Sequence, residues 1–154
     1  MTYFAGRFGL PPERIAGLQG EYLDIIGDLV DQGVDLTDGS VELVERVGGT
    51  VPVALASNTR RSLVDKILAQ TPFGPHVDAI STGDEVAPKP APDVYLLACE
   101  RLGIDPTTAV AVEDSPTGIR AAQSAGLTCI GVPSNPREPL DTADLVVGSL
   151  TELL

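Results

Sequence analysis

Glu113 and Asp114 stand side by side after the short apolar run Ala109-Val-Ala-Val112 and just before Ser115-Pro116. Neighbouring carboxylates repel unless something positive lies near them, and the simplest such partner is a hard cation that takes oxygen ligands, such as Mg²⁺. The apolar run predicts a strand of the kind that parallel sheets bury on both faces. Ser115 suits an N-cap, Pro116 the first helical position, and Gly126 the left-handed residue past a helix end. Both acids therefore belong at the carboxyl end of a strand, the edge of an open α/β sheet where ligands bind. The same pair would also serve simply as negative charge at a helix N-terminus.

Two other predicted strand ends carry groups of complementary kinds. Val51-Pro-Val-Ala-Leu-Ala56 runs into Ser57-Asn58-Thr59, hydroxyl and amide groups ahead of a helix that Thr59 can cap, a favourable place for an anion. The strand Val77-Asp-Ala-Ile80 leads to Gly83-Asp-Glu-Val-Ala-Pro-Lys89-Pro-Ala-Pro-Asp93, whose prolines make a rigid turn bearing one ammonium. Lysine is scarce here, with only Lys66 and Lys89, and its compact ammonium differs chemically from the guanidinium the chain otherwise uses. Parallel topology puts the three ends on one edge, so Ser57, Lys89, Glu113 and Asp114 would converge there on an oxyanion and a divalent cation. Singly, each has a plainer reading: a helix cap, a solvated turn residue, a pair of terminal charges.

The elements that must position these groups follow from periodicity. A helix opens at Pro12, with Ile15, Leu18, Tyr22, Ile25, Ile26 and Leu29 on one face. A polar break over 31–40 precedes a short helix carrying Val41, Val44 and Val47, which Gly48-Gly49 ends. Strand and helix then alternate. Helices carry Leu63 to Leu68 and span about Pro92 to Leu102, closed by Gly103; later strands run from Thr128 to Val132 and near Leu145 to Val147. Strands separated by helices of this length need right-handed crossovers, so the sheet is expected to be parallel and doubly wound, with helices on both faces.

At 154 residues and 43% hydrophobic, the chain has enough apolar surface for a real core. A net charge of -12 argues against nucleic acid or an anionic membrane surface as partner. Cys99 and Cys129 have no metal-type spacing and read as core thiols in a reducing compartment, so a cytoplasmic location is expected. No apolar stretch approaches ~18 residues.

Ala54-Leu-Ala-Ser57-Asn58, the Gly83 to Asp93 segment with its Lys89-Pro90, and Val112-Glu113-Asp114-Ser115-Pro-Thr-Gly118 resemble, in that order, the second, third and fourth signatures of the haloacid dehalogenase-like hydrolase superfamily. The nearest branch is that of its phosphatases and β-phosphoglucomutase-like enzymes. The resemblance implies a Rossmannoid core over 39–154 and, over 1–38, part of the helical cap that selects substrate. It also implies phosphate binding by Ser57 with Asn58 beside it. Lys89 would be the catalytic cation that stabilises phosphate and nucleophile charge, and Asp114 a Mg²⁺ ligand, with Glu113 helping directly or through water. The substrate would be a small phosphorylated metabolite.

The family's first signature, an apolar strand ending in Asp-x-Asp-Gly, has no counterpart here. Asp35-Leu-Thr-Asp38-Gly39-Ser40 has the wrong spacing and follows no strand; it reads as a loop into an N-cap at Ser40. In the family that strand lies mid-sheet, between those ending at Ser57 and Glu113, and its first Asp is the nucleophile. The chain is therefore expected to be an N-terminally incomplete piece of such an enzyme, with little turnover alone. Otherwise it fills the gap by rearrangement, by a second copy or by strand exchange with a partner. A non-catalytic phosphate-binding or protein-interaction module on the same scaffold is the alternative.

Overall fold

The computed structural model describes residues 11–134 and 139–154. The chain divides into two compact units, Met1–Asp35 and Leu36–Leu154. Within the first, the described element is α1 (Pro12–Asp31), which starts on a proline whose missing N–H is no loss there. Its apolar spacing follows the predicted helical period, yet Tyr22, Ile25 and Leu29 are exposed. The side chain of Ile15 lies outside those described.

The second unit alternates as the sequence predicts. In order come α2 (Ser40–Val47), β1 (Ala54–Ser57), α3 (Arg61–Ala69), β2 (Ala79–Thr82), α4 (Asp93–Leu102), β3 (Val110–Glu113), α5 (Pro116–Ser124), β4 (Thr128–Gly131) and β5 (Leu145–Val146). Every strand pairing is parallel. Ser57 lies beside Thr82 at the ends of β1 and β2, Glu113 beside Gly131 at the ends of β3 and β4, and Ile130 beside Leu145. The result is an α/β fold with two sheets, β1-β2 and β3-β4-β5, and no strand among the described residues joins β1 to β3.

One core spans both sheets. Helix α4 packs on β1 and β2, α5 packs on β3 and β4, and the helices touch. Val94 of α4, Ile119 of α5 and Cys129 of β4 are fully buried in a single cluster, against which Ala56 of β1 also packs. Burying Val94 and Ile119 contributes roughly 1.5–3 kcal/mol each. The helices thus hold together two sheets that share no ladder of hydrogen bonds.

Four sequence expectations are corrected. Strand β3 is not buried on both faces: Ala111 and Glu113 are buried, whereas Val110 and Val112 are 61% and 44% exposed, because the helices cover one side only. By register, Leu145, also exposed, shares that uncovered side. Strand β1 begins at Ala54 rather than Val51, since Pro52 has no N–H and that of Val53 goes to Asp78 Oδ2 at 2.9 Å. Thr59 does not cap α3. Asp84, from the loop after β2, accepts from the Arg61 N–H at 3.1 Å instead. Lastly, Ser40 is the first residue of α2 and not its cap. Gly39 precedes it at φ +81°, where a Cβ would be strained and would meet Thr151 at 2.9 Å.

Candidate active site

Ser57 closes β1, and its Oγ accepts from the Thr59 N–H at 3.0 Å, leaving the hydroxyl hydrogen available. The loop after β2 is tied down before it reaches Lys89. Glu85 accepts from the Thr82 N–H at 3.0 Å and from its hydroxyl at 2.7 Å, and pairs with Arg101 at 2.7 Å. The Arg101 guanidinium above all, then the Thr82 hydroxyl, hold the Glu85 carboxyl down at about 2, so it keeps its charge. Farther on, the Lys89–Pro90 peptide is cis. Asn58 grips this segment at both ends of its amide, accepting from the Lys89 N–H at 2.6 Å and donating to the Lys89 carbonyl at 3.1 Å.

The Lys89 ammonium donates to the Ala56 carbonyl at 3.0 Å, to the Tyr95 hydroxyl at 3.2 Å and to Glu113 Oε1. All three of its hydrogens are used. It also lies 4.7 Å from the centre of the Tyr95 ring. The Tyr95 hydroxyl donates in turn to the same Oε1. Burial, and after it the charge of Glu113, push this phenol above its ordinary range, so it remains a donor. Glu113 is only 8% exposed, and a carboxylate so buried requires a compensating cation, which Lys89 provides.

Asp114 differs from its neighbour. It is exposed, and among the described residues its carboxylate forms no hydrogen bond or ion pair. No group of three or more acids, histidines or cysteines able to hold a metal occurs among the described residues.

Ser57, Asn58, Lys89, Glu113 and Asp114, all expected at one edge, line a single cavity of about 580 Å³ together with Ser115, Pro116 and Thr117 at the start of α5. A groove of about 410 Å³ adjoins it, with Ala56 and Ser57 of β1 and Val112 and Glu113 of β3 in its walls. One ammonium, hydroxyls and a free carboxylate can accommodate an oxyanion with a divalent cation. Cys129 offers no alternative nucleophile: burial and the Glu113 charge push its thiol up to about 11, and it stays protonated at neutral pH.

Residues 8–126 match the sequence profile of haloacid dehalogenase-like hydrolases. The chain belongs to that family. Haloacid dehalogenase-like proteins similar to it include Protein CbbY of Rhodobacter capsulatus, 42% identical over 106 residues that make up 66% of this chain and 47% of that protein. Validoxylamine A 7'-phosphate phosphatase of Streptomyces hygroscopicus subsp. limoneus is 33% identical over 75% of this chain and 56% of its own length. Among solved structures, CbbY from Rhodobacter sphaeroides in complex with phosphate superposes with a TM-score of 0.83, at 33% identity, over 93% of this chain and 67% of that one. The chain spans about half the length of the curated relatives it matches. The resemblance read from the three signatures, to the phosphatase branch of the superfamily, therefore holds.

The roles of two residues in this haloacid dehalogenase-like site escape sequence reading, although one of them, Gly118, belongs to the fourth signature. Tyr95 falls at helical spacing among apolar residues and reads as core, which at 6% exposure it also is. Gly118 sits in the first turn of α5 against the Glu113 carboxylate, where an added Cβ would lie 1.7 Å from Oε2. A glycine inside a helix is a signal in itself, since it costs about 1 kcal/mol relative to alanine. Gly118→Ala gains that propensity but forces the buried acid to move, at about 1–3 kcal/mol. The expected net result is a lower urea midpoint; an unchanged or raised midpoint would show that Glu113 has room to spare.

Proposed function

We propose that this chain supplies the phosphate- and Mg²⁺-binding part of a phosphomonoester hydrolase acting on a small phosphorylated metabolite. The observation that carries the reading is the convergence of Ser57, Lys89, Glu113 and Asp114, from three crossover units, on one cavity. Ser57 donates its free hydroxyl to the phosphate, and Asn58 holds the Lys89 loop beside it. Lys89 contributes positive charge; an anion that bonds it directly displaces the Ala56 carbonyl more readily than the charged Glu113. Asp114 holds Mg²⁺, while Glu113 divides its charge between Lys89 and the metal. Mg²⁺ held there would supply Lewis-acid stabilisation of charge on the phosphoryl oxygens.

Hydrolysis in the complete family enzyme runs through an aspartyl-phosphate, and the sequence contains no Asp-x-Asp-Gly to provide that carboxylate. We assign the groove between β1 and β3 to a further strand carrying it, from a longer form of this protein or a partner chain; a second copy of this chain would fill the gap without supplying that carboxylate. The rival reading is a non-catalytic phosphate-binding or interaction module; the gap between β1 and β3 among the described residues and the lack of an Asp-x-Asp-Gly string favour it over an intact enzyme for this chain alone. The charge of -12 speaks against nucleic acid and anionic membranes, no described helix is long and apolar enough to cross a bilayer, and two free buried cysteines suit the cytoplasm.

Calorimetric titration with inorganic phosphate tests the reading. Binding is expected to strengthen about tenfold when Mg²⁺ is present, equivalent to 1.4 kcal/mol. Absence of any phosphate binding with or without Mg²⁺ would overturn it.

A further inference from the structure

Lys89 has a flexible aliphatic stem and sits in a loop, yet its ammonium must be held at one point of the cavity wall if it is to meet an anion there. Its backbone is fixed by Asn58. Nothing in that bracket fixes the far end of the side chain. Besides Glu113 and the Ala56 carbonyl, Tyr95, on the first turns of α4 and buried in the core, reaches it from the protein interior. Its ring lies 4.7 Å below the ammonium, and its hydroxyl accepts from Nζ while donating to Glu113 Oε1. From the other side, Gly118 leaves room for nothing larger than hydrogen against Glu113 Oε2.

We propose that Tyr95 is a positioning residue of this site, its hydroxyl bridging Lys89 and Glu113 so that the ammonium stays aimed at the phosphate cavity. This rests on the phosphate reading of Lys89 given above. If Tyr95 served only as packing, phenylalanine would replace it without effect on the site, because the two differ solely in the hydroxyl. That atom touches the ammonium and the carboxylate, and at 6% exposure Tyr95 leaves little access for water in its place.

The chain has only two lysines, so side-chain ammonium NMR of ¹⁵N-lysine-labelled protein gives two signals, with Lys66 as internal reference. In Tyr95→Phe the Lys89 ammonium signal is expected to broaden or vanish through faster exchange while that of Lys66 is unchanged. Inorganic phosphate affinity falls about 3- to 10-fold, the effect of one net hydrogen bond. A Lys89 signal and a phosphate affinity both equal to those of the unsubstituted chain would overturn the proposal. Should the unsubstituted chain bind no phosphate, the phosphate reading fails, and the ammonium signal alone still judges Tyr95. Should Tyr95→Phe not fold, the unsubstituted chain decides: a Tyr95 hydroxyl proton protected from exchange and showing a nuclear Overhauser contact to the Lys89 ammonium supports the bridge, and a freely exchanging hydroxyl without that contact refutes it.

Discussion

Given p-nitrophenyl phosphate and Mg²⁺, this chain alone releases nitrophenolate on the order of 10⁴- to 10⁶-fold more slowly than the same chain joined by a segment with an Asp-x-Asp-Gly strand. The magnitude follows from what is present and what is not. Ser57, Lys89 and Asp114 can bind and neutralise a phosphoryl group, but binding without an attacking carboxylate leaves only the residual catalysis that positioning and charge provide. The added strand has a defined place. On the proposed reading it would lie parallel between β1 and β3, whose facing edges have no strand partner among the described residues, and its hydrogen-bond ladders would merge two sheets into one. Nitrophenolate release at matched concentrations, with and without the segment, checks this. Rapid, Lys89-dependent hydrolysis by the chain alone would contradict it.

The second large effect is on stability. Lys89→Met leaves the Glu113 carboxylate buried with the Tyr95 hydroxyl as its remaining side-chain donor among the described residues, and removing one partner of a buried ion pair costs about 3–5 kcal/mol. Phosphate binding is lost with it. Adding Glu113→Gln to Lys89→Met removes the stranded charge, so the double variant is expected to regain most of the stability while still failing to bind phosphate. Urea unfolding of the four members of this cycle gives the coupling. A double variant no more stable than Lys89→Met would mean that the cost arises elsewhere, in the lost bond to Ala56 or in packing on Tyr95.

Much of this site is legible in the sequence because its groups announce themselves by type. Ser57, Lys89 and the Glu113-Asp114 pair are polar residues directly after apolar runs, and parallel topology then requires that they share an edge. What sequence misses are long-range bonds made by residues with an ordinary local reason to be where they are. Tyr95 satisfies the helical period of α4, and nothing local says that its hydroxyl meets an ammonium six residues back and a carboxylate on another strand. Asp84 looks like loop charge, yet it caps α3 from across the fold, and Thr59, the local candidate, does not. The acidic pair reads as a ligand, Asp114, with Glu113 helping it, and nothing local says that strand alternation turns Glu113 into the core against Lys89 and leaves Asp114 outside. Coverage of β3 is not legible for a similar reason: four small apolar residues are compatible with burial on one face or two, and only the packing of the helices decides.

The uncovered side of β3, with Val110, Val112 and Leu145 on it, has a thermodynamic consequence. Apolar area that already faces water in the native state is not newly hydrated when the chain melts. The heat-capacity increment and the urea m-value, both set by newly exposed surface, are then smaller than 154 residues would ordinarily give. A flatter dependence of folding free energy on temperature, together with a shallower urea slope, is the calorimetric mark of a sheet with one side left bare.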